Sequence, residues 1–228
     1  NIFEGDKLYL RVDGCINSNS NDANLMDSIL SKIIKNNHSL NEVANIYQGI
    51  VTGANILTEN QKNKYSIDAE LGSGIFILDE TEISNLSLNK VEQTFIKPWF
   101  KNSDINQWYC NEIPDKYIIY FTSTDDYKDD KIKNLINHFE KYKFLLINRN
   151  VRTGSCTIDE YEQFIKGEID IPYVMVKSAF RKGRYFCVSY ARDQIIFESP
   201  KIVCPQRSPL NTFGYSEKPW YAASDVYY

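Results

Sequence analysis

Histidine, methionine and proline are scarce in this chain of 228 residues, at two, two and seven copies. With only His38 and His138 present, a histidine-rich metal site is not expected. No apolar run approaches the ~18–20 residues needed to cross a bilayer, which excludes a membrane-spanning helix. The five cysteines, Cys15, Cys110, Cys156, Cys187 and Cys204, are odd in number, scattered and never spaced as CxxC. That spacing argues against a disulfide framework or zinc site and for reduced thiols in a cytoplasmic protein. The chain starts without Met or a leader-like basic and apolar stretch, and it stops inside a strand-like run. It is therefore expected to be a fragment of something longer. No GxSxG elbow, HExxH helix, Walker loop or GxGxxG turn occurs. Gly72-Ser73-Gly74 reads as a turn. Pro114-Asp115 lacks the following Glu-x-Lys of a metal-dependent nuclease, with Asp126-Tyr127-Lys128 as its nearest substitute. A catalytic centre within these residues is not expected.

What is present is an ordinary globular composition, 43% hydrophobic and 25% charged, with sixteen tyrosines. Short strands are expected at residues 8–10, 46–51, 75–78, 117–121, 173–177, 185–190, 195–198 and 201–204. One amphipathic helix is expected over 22–35. A longer one is expected over 125–147, where Ile132, Leu135, Ile136, Phe139, Tyr142 and Leu146 share a face. Ser39 and Glu42 suggest a capping box. Strands with two or three helices, not in βαβ alternation, indicate an α+β fold with a mostly antiparallel sheet.

The net charge of −4 conceals an asymmetry. Residues 1–140 hold thirteen basic and twenty-one acidic side chains, or −8, whereas residues 141–207 hold twelve and seven, or +5. A division near residue 150 into an acidic scaffold and a basic DNA-facing part is a candidate. Phe180-Arg181-Lys182-Gly183-Arg184-Tyr185 joins two strand-like runs and would place three cations at a hairpin tip between aromatics. A two-stranded ribbon of that kind fits the DNA major groove; the plain alternative is a solvated turn. Lys201 and Arg207 flank a strand ending at Cys204-Pro205 and are candidates for phosphate contacts.

Five segments then occur in an order that resembles one family. They are Gln48-Gly49-Ile50-Val51-Thr52-Gly53-Ala54-Asn55, Ile96-Lys97-Pro98-Trp99-Phe100-Lys101-Asn102-Ser103-Asp104-Ile105, Leu145-Leu146-Ile147-Asn148-Arg149, Phe197-Glu198-Ser199-Pro200-Lys201-Ile202-Val203 and Ser224-Asp225-Val226-Tyr227-Tyr228. Together they resemble the TaqI-like C-terminal specificity domain of adenine-specific DNA methyltransferases, some of which are combined restriction-modification enzymes. The family often carries a Trp between the third and fourth segments, where this chain offers Tyr185 or Tyr190.

The resemblance implies a bacterial, cytoplasmic target recognition domain spanning residues 1–228. Its partners would be double-stranded DNA and the parent's own N-terminal catalytic domain, and it would be monomeric. The parent would use S-adenosylmethionine to methylate adenine N6 on a flipped base, with no cofactor held by this chain. Thr52, Gly53 and Asn55 would form a turn near the DNA. Arg149 would clamp a phosphate or cap its own helix. Lys201 and Arg207 would meet the backbone. Arg152, Arg181, Lys182, Arg184 and Tyr185 fill the list of expected DNA contacts. The rival reading is a protein- or glycan-binding module with a tyrosine-rich surface; a free-standing hydrolase comes third.

Overall fold

In the computed structural model, residues 40–125, 127–151, 154–171 and 184–228 are described. The expected elements at 8–10, 22–35 and 173–177 lie outside the described residues, as do Ser39, Arg152, Arg181 and Lys182. The chain divides into two units, Asn1–Ile46 and Tyr47–Tyr228. Of the first, a single helical turn α1 (Leu40–Val43) is described. Everything below concerns the second.

That unit is α+β. A four-stranded sheet has the order β1 (Ile77–Leu78), β3 (Lys116–Ile119), β2 (Ile96–Phe100), β6 (Tyr221–Ala222), antiparallel except for the β2–β6 pair. A second sheet of three antiparallel strands has the order β5 (Gly214–Ser216), β4 (Lys201–Pro205), β7 (Val226–Tyr227). Pro98 sits within β2 without breaking it. Pairing with β6 begins only at Trp99, so the missing N–H falls where β2 has a free edge. Among the described residues the helices are more numerous than expected, and none exceeds eight residues. They are α2 (Glu59–Tyr65), α3 (Glu80–Asn85), α4 (Lys90–Gln93), α5 (Lys133–Glu140), α6 (Lys143–Asn148), α7 (Ile158–Ile165) and α8 (Ile195–Glu198). No helix among the described residues is long and apolar enough to cross a membrane.

Four expectations are corrected. The long helix over 125–147 is a 3-10 turn at Asp129–Ile132 followed by α5 and α6, broken at Lys141-Tyr142. The reason is burial: α5 hides one stripe (Leu135, His138, Phe139), but α6 hides four consecutive residues, Leu145, Leu146, Ile147 and Asn148. A single amphipathic face cannot do both. No neighbouring side chain caps the start of α5. The fully buried Glu92, about forty positions earlier, accepts the N–H groups of Asn134 (2.6 Å) and Leu135 (3.1 Å).

Second, residues 185–190 form an irregular segment, buried over 185–189, rather than a strand, joined to the rest by the Val51–Tyr190 bridge and the Val188 N–H to Phe121 carbonyl bond. Third, 195–198 is the helical turn α8, started by Asp193 Oδ1 accepting from Ile195 N–H at 3.2 Å. It turns Phe197 onto the rings of Tyr120, Tyr221 and Tyr228. Fourth, residues 46–51 make isolated bridges instead of a regular strand.

One large core joins Ile50, Phe76, Tyr120, Phe139, Leu146, Phe186 and Phe197, so residues on both sides of position 150 share it. A smaller one gathers Phe100, Ile105, Val203, Trp220, Ala222 and Val226, with the Phe100 and Trp220 rings stacked at 4.8 Å. His138 lies buried on α5, its Nε2 donating to Ile75 O at 2.9 Å, while Nδ1 has no partner among the described residues. Burial, reinforced by Lys141, drives its pKa down from 6.5 to about 4. The unfolded chain therefore binds more protons than the folded one between those values, and stability should fall as pH drops from about 6.5 to 4. A displacement of that size corresponds to a loss of about 3 kcal/mol. Urea titrations across this window should show the loss, and His138→Gln should flatten it.

Candidate nucleic-acid interface

The turn at residues 52–55 is built from short-range chemistry. Gly53 has φ +82°, a conformation that other residues adopt only under strain. Thr52 is buried; its Oγ1 donates to Asn55 Oδ1 and accepts from Ala54 N–H. The Asn55 carbonyl accepts from three successive amides, Ile75 (2.9 Å), Phe76 (3.1 Å) and Ile77 (3.2 Å), which fastens the turn to the entry of β1. Gly53 and the Asn55 side chain remain exposed.

The second, third and fifth of the separated segments meet the first around this turn, and the fourth packs against the second and fifth. Gln48 Nε2 donates to Ser224 O at 2.8 Å, Gly49 N–H to Val226 O at 3.0 Å and Ile50 N–H to Ala222 O at 2.9 Å. Trp99 and Phe100 pair with Tyr221 and Ala222. Phe197 stacks edge-on against Tyr228, and Val203 shares the smaller core with Phe100, Ile105 and Val226. Arg149 lies directly beneath Gly53: a Cβ there would come within 2.8 Å of Arg149 Cδ and 2.6 Å of Ser189 Oγ.

Two cavities flank the turn. One, of about 210 Å³, touches Asn55 and is bounded by Trp99, Lys101, Asn102 and Asp225, drawn from the first, second and fifth segments. The other, of about 240 Å³, touches Gly53 and is bounded by Asn60, Gln61, Lys64, Asn148 and Arg149.

Several of the expected contact residues face inward. Arg149 Nη2 donates to the carbonyls of Tyr185 (3.2 Å) and Cys187, and its guanidinium lies 5.1 Å from the Phe76 ring centre. Some of the residue is exposed, but Nε and Nη1 do not reach solvent. Burial lowers its pKa to about 10, which leaves it charged at neutral pH. It does not cap its helix. Arg184 donates to Asp125 O at 2.6 Å and to Tyr127 O, pairs with Asp129 at 3.8 Å and covers Phe121.

Tyr185 is buried, its hydroxyl donating to Glu140 at 2.5 Å; burial first, and that carboxylate second, push its pKa well up. Lys201 is buried too, its Nζ donating to Lys218 O at 2.8 Å, and burial lowers its pKa. Arg207 alone of these is exposed.

Sequence reasoning overlooked Lys64, Asn60 and Gln61, although Thr58-x-x-Gln61 is a legible capping box that the structure forms. It also overlooked Trp108, which is 69% exposed at φ +76°. Nothing in the sequence signals that conformation. Compared with known protein families and with curated proteins, the chain matches no family model and no curated sequence.

Gly49 is the tightest point of the junction: an added Cβ would lie 2.2 Å from Ala223 O and 2.6 Å from Ala222 O, both backbone atoms that cannot swing aside. Gly49→Ala should cost about 3 kcal/mol in urea denaturation, at the upper end of overpacking penalties.

Proposed function

We propose that this chain is the DNA target recognition domain of a bacterial N6-adenine methyltransferase or combined restriction-modification enzyme. It works in the cytoplasm and leaves methyl transfer from S-adenosylmethionine to a separate catalytic domain. The observation that supports this reading most is that the five family-like segments, spread over residues 48–228, pack against one another, four of them beside the turn at 52–55 and the fourth against the second and fifth. Chance likenesses scattered through a chain have no reason to meet in space. The exposed Asn55 and Asn102 beside the Asn55 cavity carry amide groups of the type that reads adenine edges, and Lys101 and Arg207 supply cations for phosphates.

Duplex DNA should bind the 228-residue chain at low salt and weaken linearly on a log–log plot as salt rises. Lys101→Ala and Arg207→Ala should each reduce the slope by about one. Fluorescence anisotropy with a labelled duplex reads both. Absence of binding at low salt would remove the proposal.

A second reading, a protein- or glycan-binding module, is favoured by one observation. Trp108, Tyr109, Phe213, Tyr215 and Ile202 are all exposed. They are tied together by the Trp108 N–H to Phe213 O bond at 2.7 Å, by Gly214 against the Tyr109 backbone and by the Ile202–Tyr215 pair. Exposed aromatics of this density are typical of contact surfaces. Trp99 and Trp220 are buried, so acrylamide quenching reports on Trp108. Under this reading the binding partner protects Trp108 from quenching, and duplex DNA does not.

A further inference from the structure

Among the described residues, three other than glycine hold positive φ: Ser66, Ser87 and Trp108. The serines are small, whereas Trp108, at φ +76°, carries the largest of all side chains and is exposed. A bulky residue disfavours that conformation, and exposure recovers none of the cost through burial. The fold nonetheless holds it in place. Ile105 pairs with Cys110, and Asn106 N–H donates to Tyr109 O at 2.8 Å, which makes 105–110 a tight hairpin with Trp108 at its tip. Trp108 N–H donates to Phe213 O at 2.7 Å, and Gly214 of β5 packs against the Tyr109 backbone.

The surface around this tip carries no charge. Neither 105–111 nor 208–216 contains Asp, Glu, Lys or Arg, in a chain that is 25% charged. Exposed there are Trp108, Tyr109 and Phe213, with Asn106 and Gln107 beside them. Cations stand at the roots of the two runs instead. Lys101 precedes the 3-10 turn Asn102–Asp104 that leads into the hairpin, and Arg207 precedes residues 208–216. Both are exposed and make no ion pair among the described residues. The acids next to the runs are engaged. Asp104 accepts from the Lys101 N–H at 2.7 Å, Glu112 pairs with Lys218 at 2.7 Å, and Glu217 accepts from the Tyr215 hydroxyl at 3.0 Å. The two roots adjoin, because Gln206 N–H donates to Asp225 O at 2.7 Å and Asp225 bounds the Asn55 cavity together with Lys101. Asp225 is an exposed acid, and it forms no ion pair with either cation.

Neutral flat rings with amides beside them and cations at their base match the parts of a nucleotide: a base to stack on, edges to bond and a phosphate to neutralise. A neutral sugar or an apolar protein surface would leave the two cations unanswered. We propose that Trp108 stacks on a nucleobase that has lost its partner, with Lys101 and Arg207 on flanking phosphates, which deepens the DNA reading and rests on it. Inside paired DNA both faces of a base are covered by its neighbours, so the contact takes a base that is unpaired or swung out of the stack. A ring held at a hairpin tip is already extended toward such a base and has little freedom left to lose.

Two duplexes of one sequence test this, the first fully paired and the second with an abasic site that leaves the opposite adenine unpaired. At low salt the 228-residue chain should bind the abasic duplex roughly tenfold more tightly, equivalent to about 1.4 kcal/mol. Tryptophan emission should be quenched more by that duplex; with Trp99 and Trp220 buried, the change reports on Trp108. Trp108→Gly is the deciding variant, because glycine accepts φ +76° without strain. It should melt close to the parent yet bind both duplexes alike, and Trp108→Phe, which keeps a ring, should retain most of the preference. Equal binding of the two duplexes by the parent, or an unchanged preference in Trp108→Gly, overturns the stacking role and leaves the DNA reading standing. Absence of binding to either duplex overturns both.

Discussion

A buried guanidinium holds this structure together at its most irregular point. Residues 185–189 are buried on all sides and have no strand partner along most of their length, so their carbonyls need donors from elsewhere. Arg149 supplies them at Tyr185 and Cys187. The same side chain stands under Gly53 and over Phe76, so one residue at the end of α6 sets the height of the 52–55 turn and the path of a segment over thirty positions away. The break between α5 and α6 follows from this. Arg149 reaches that place because α6 runs through the interior, and an uninterrupted amphipathic helix would have stayed on the surface.

Several of the regular strands were legible because their patterns are local, whereas β2, β5 and β6 were not expected. Lys116–Ile119, Lys201–Pro205 and Val226–Tyr227 are rich in branched and aromatic residues, and each is found in a sheet. The run at 185–190 looks the same on paper but is claimed by Arg149, and the run at 195–198 is turned into a helix by Asp193. Arg149 lies outside any window of neighbours around 185–190, whereas Asp193 stands only two positions before Ile195 and was open to a local reading. The 52–55 turn was legible from its glycine, since few other residues accept φ near +80°. The Lys64 cavity was not, because it needs α2 to lie beside α6. That approach is expressed only in three dimensions, as the edge-on contact of Tyr65 with Phe144 at 5.2 Å.

The basic excess of residues 141–207 takes on a different meaning once its members are placed. Lys143 bridges Glu140 and Glu162, and Arg149, Arg184, Arg192 and Lys201 all donate to backbone carbonyls. Much of that charge is therefore mortar between irregular segments. Arginine suits this work, because its forked donors satisfy two carbonyls at once in places where no strand can reach. A charge count along a sequence treats such residues and surface cations alike.

The pairing of residues 47–50 with 222–228 has a kinetic side. Tyr47 exchanges hydrogen bonds with Tyr228 in both directions, and Gln48, Gly49 and Ile50 bind carbonyls of the same final segment. These contacts span more than 170 positions, so the chain entropy of closing them is paid before any of their stabilisation is gained. As the polypeptide leaves the ribosome, the segment holding the 52–55 turn emerges well before residues 222–228 and must wait for them before it can settle. Folding of this unit is thus gated by the arrival of those residues, and the waiting turn is where non-native pairings have longest to form.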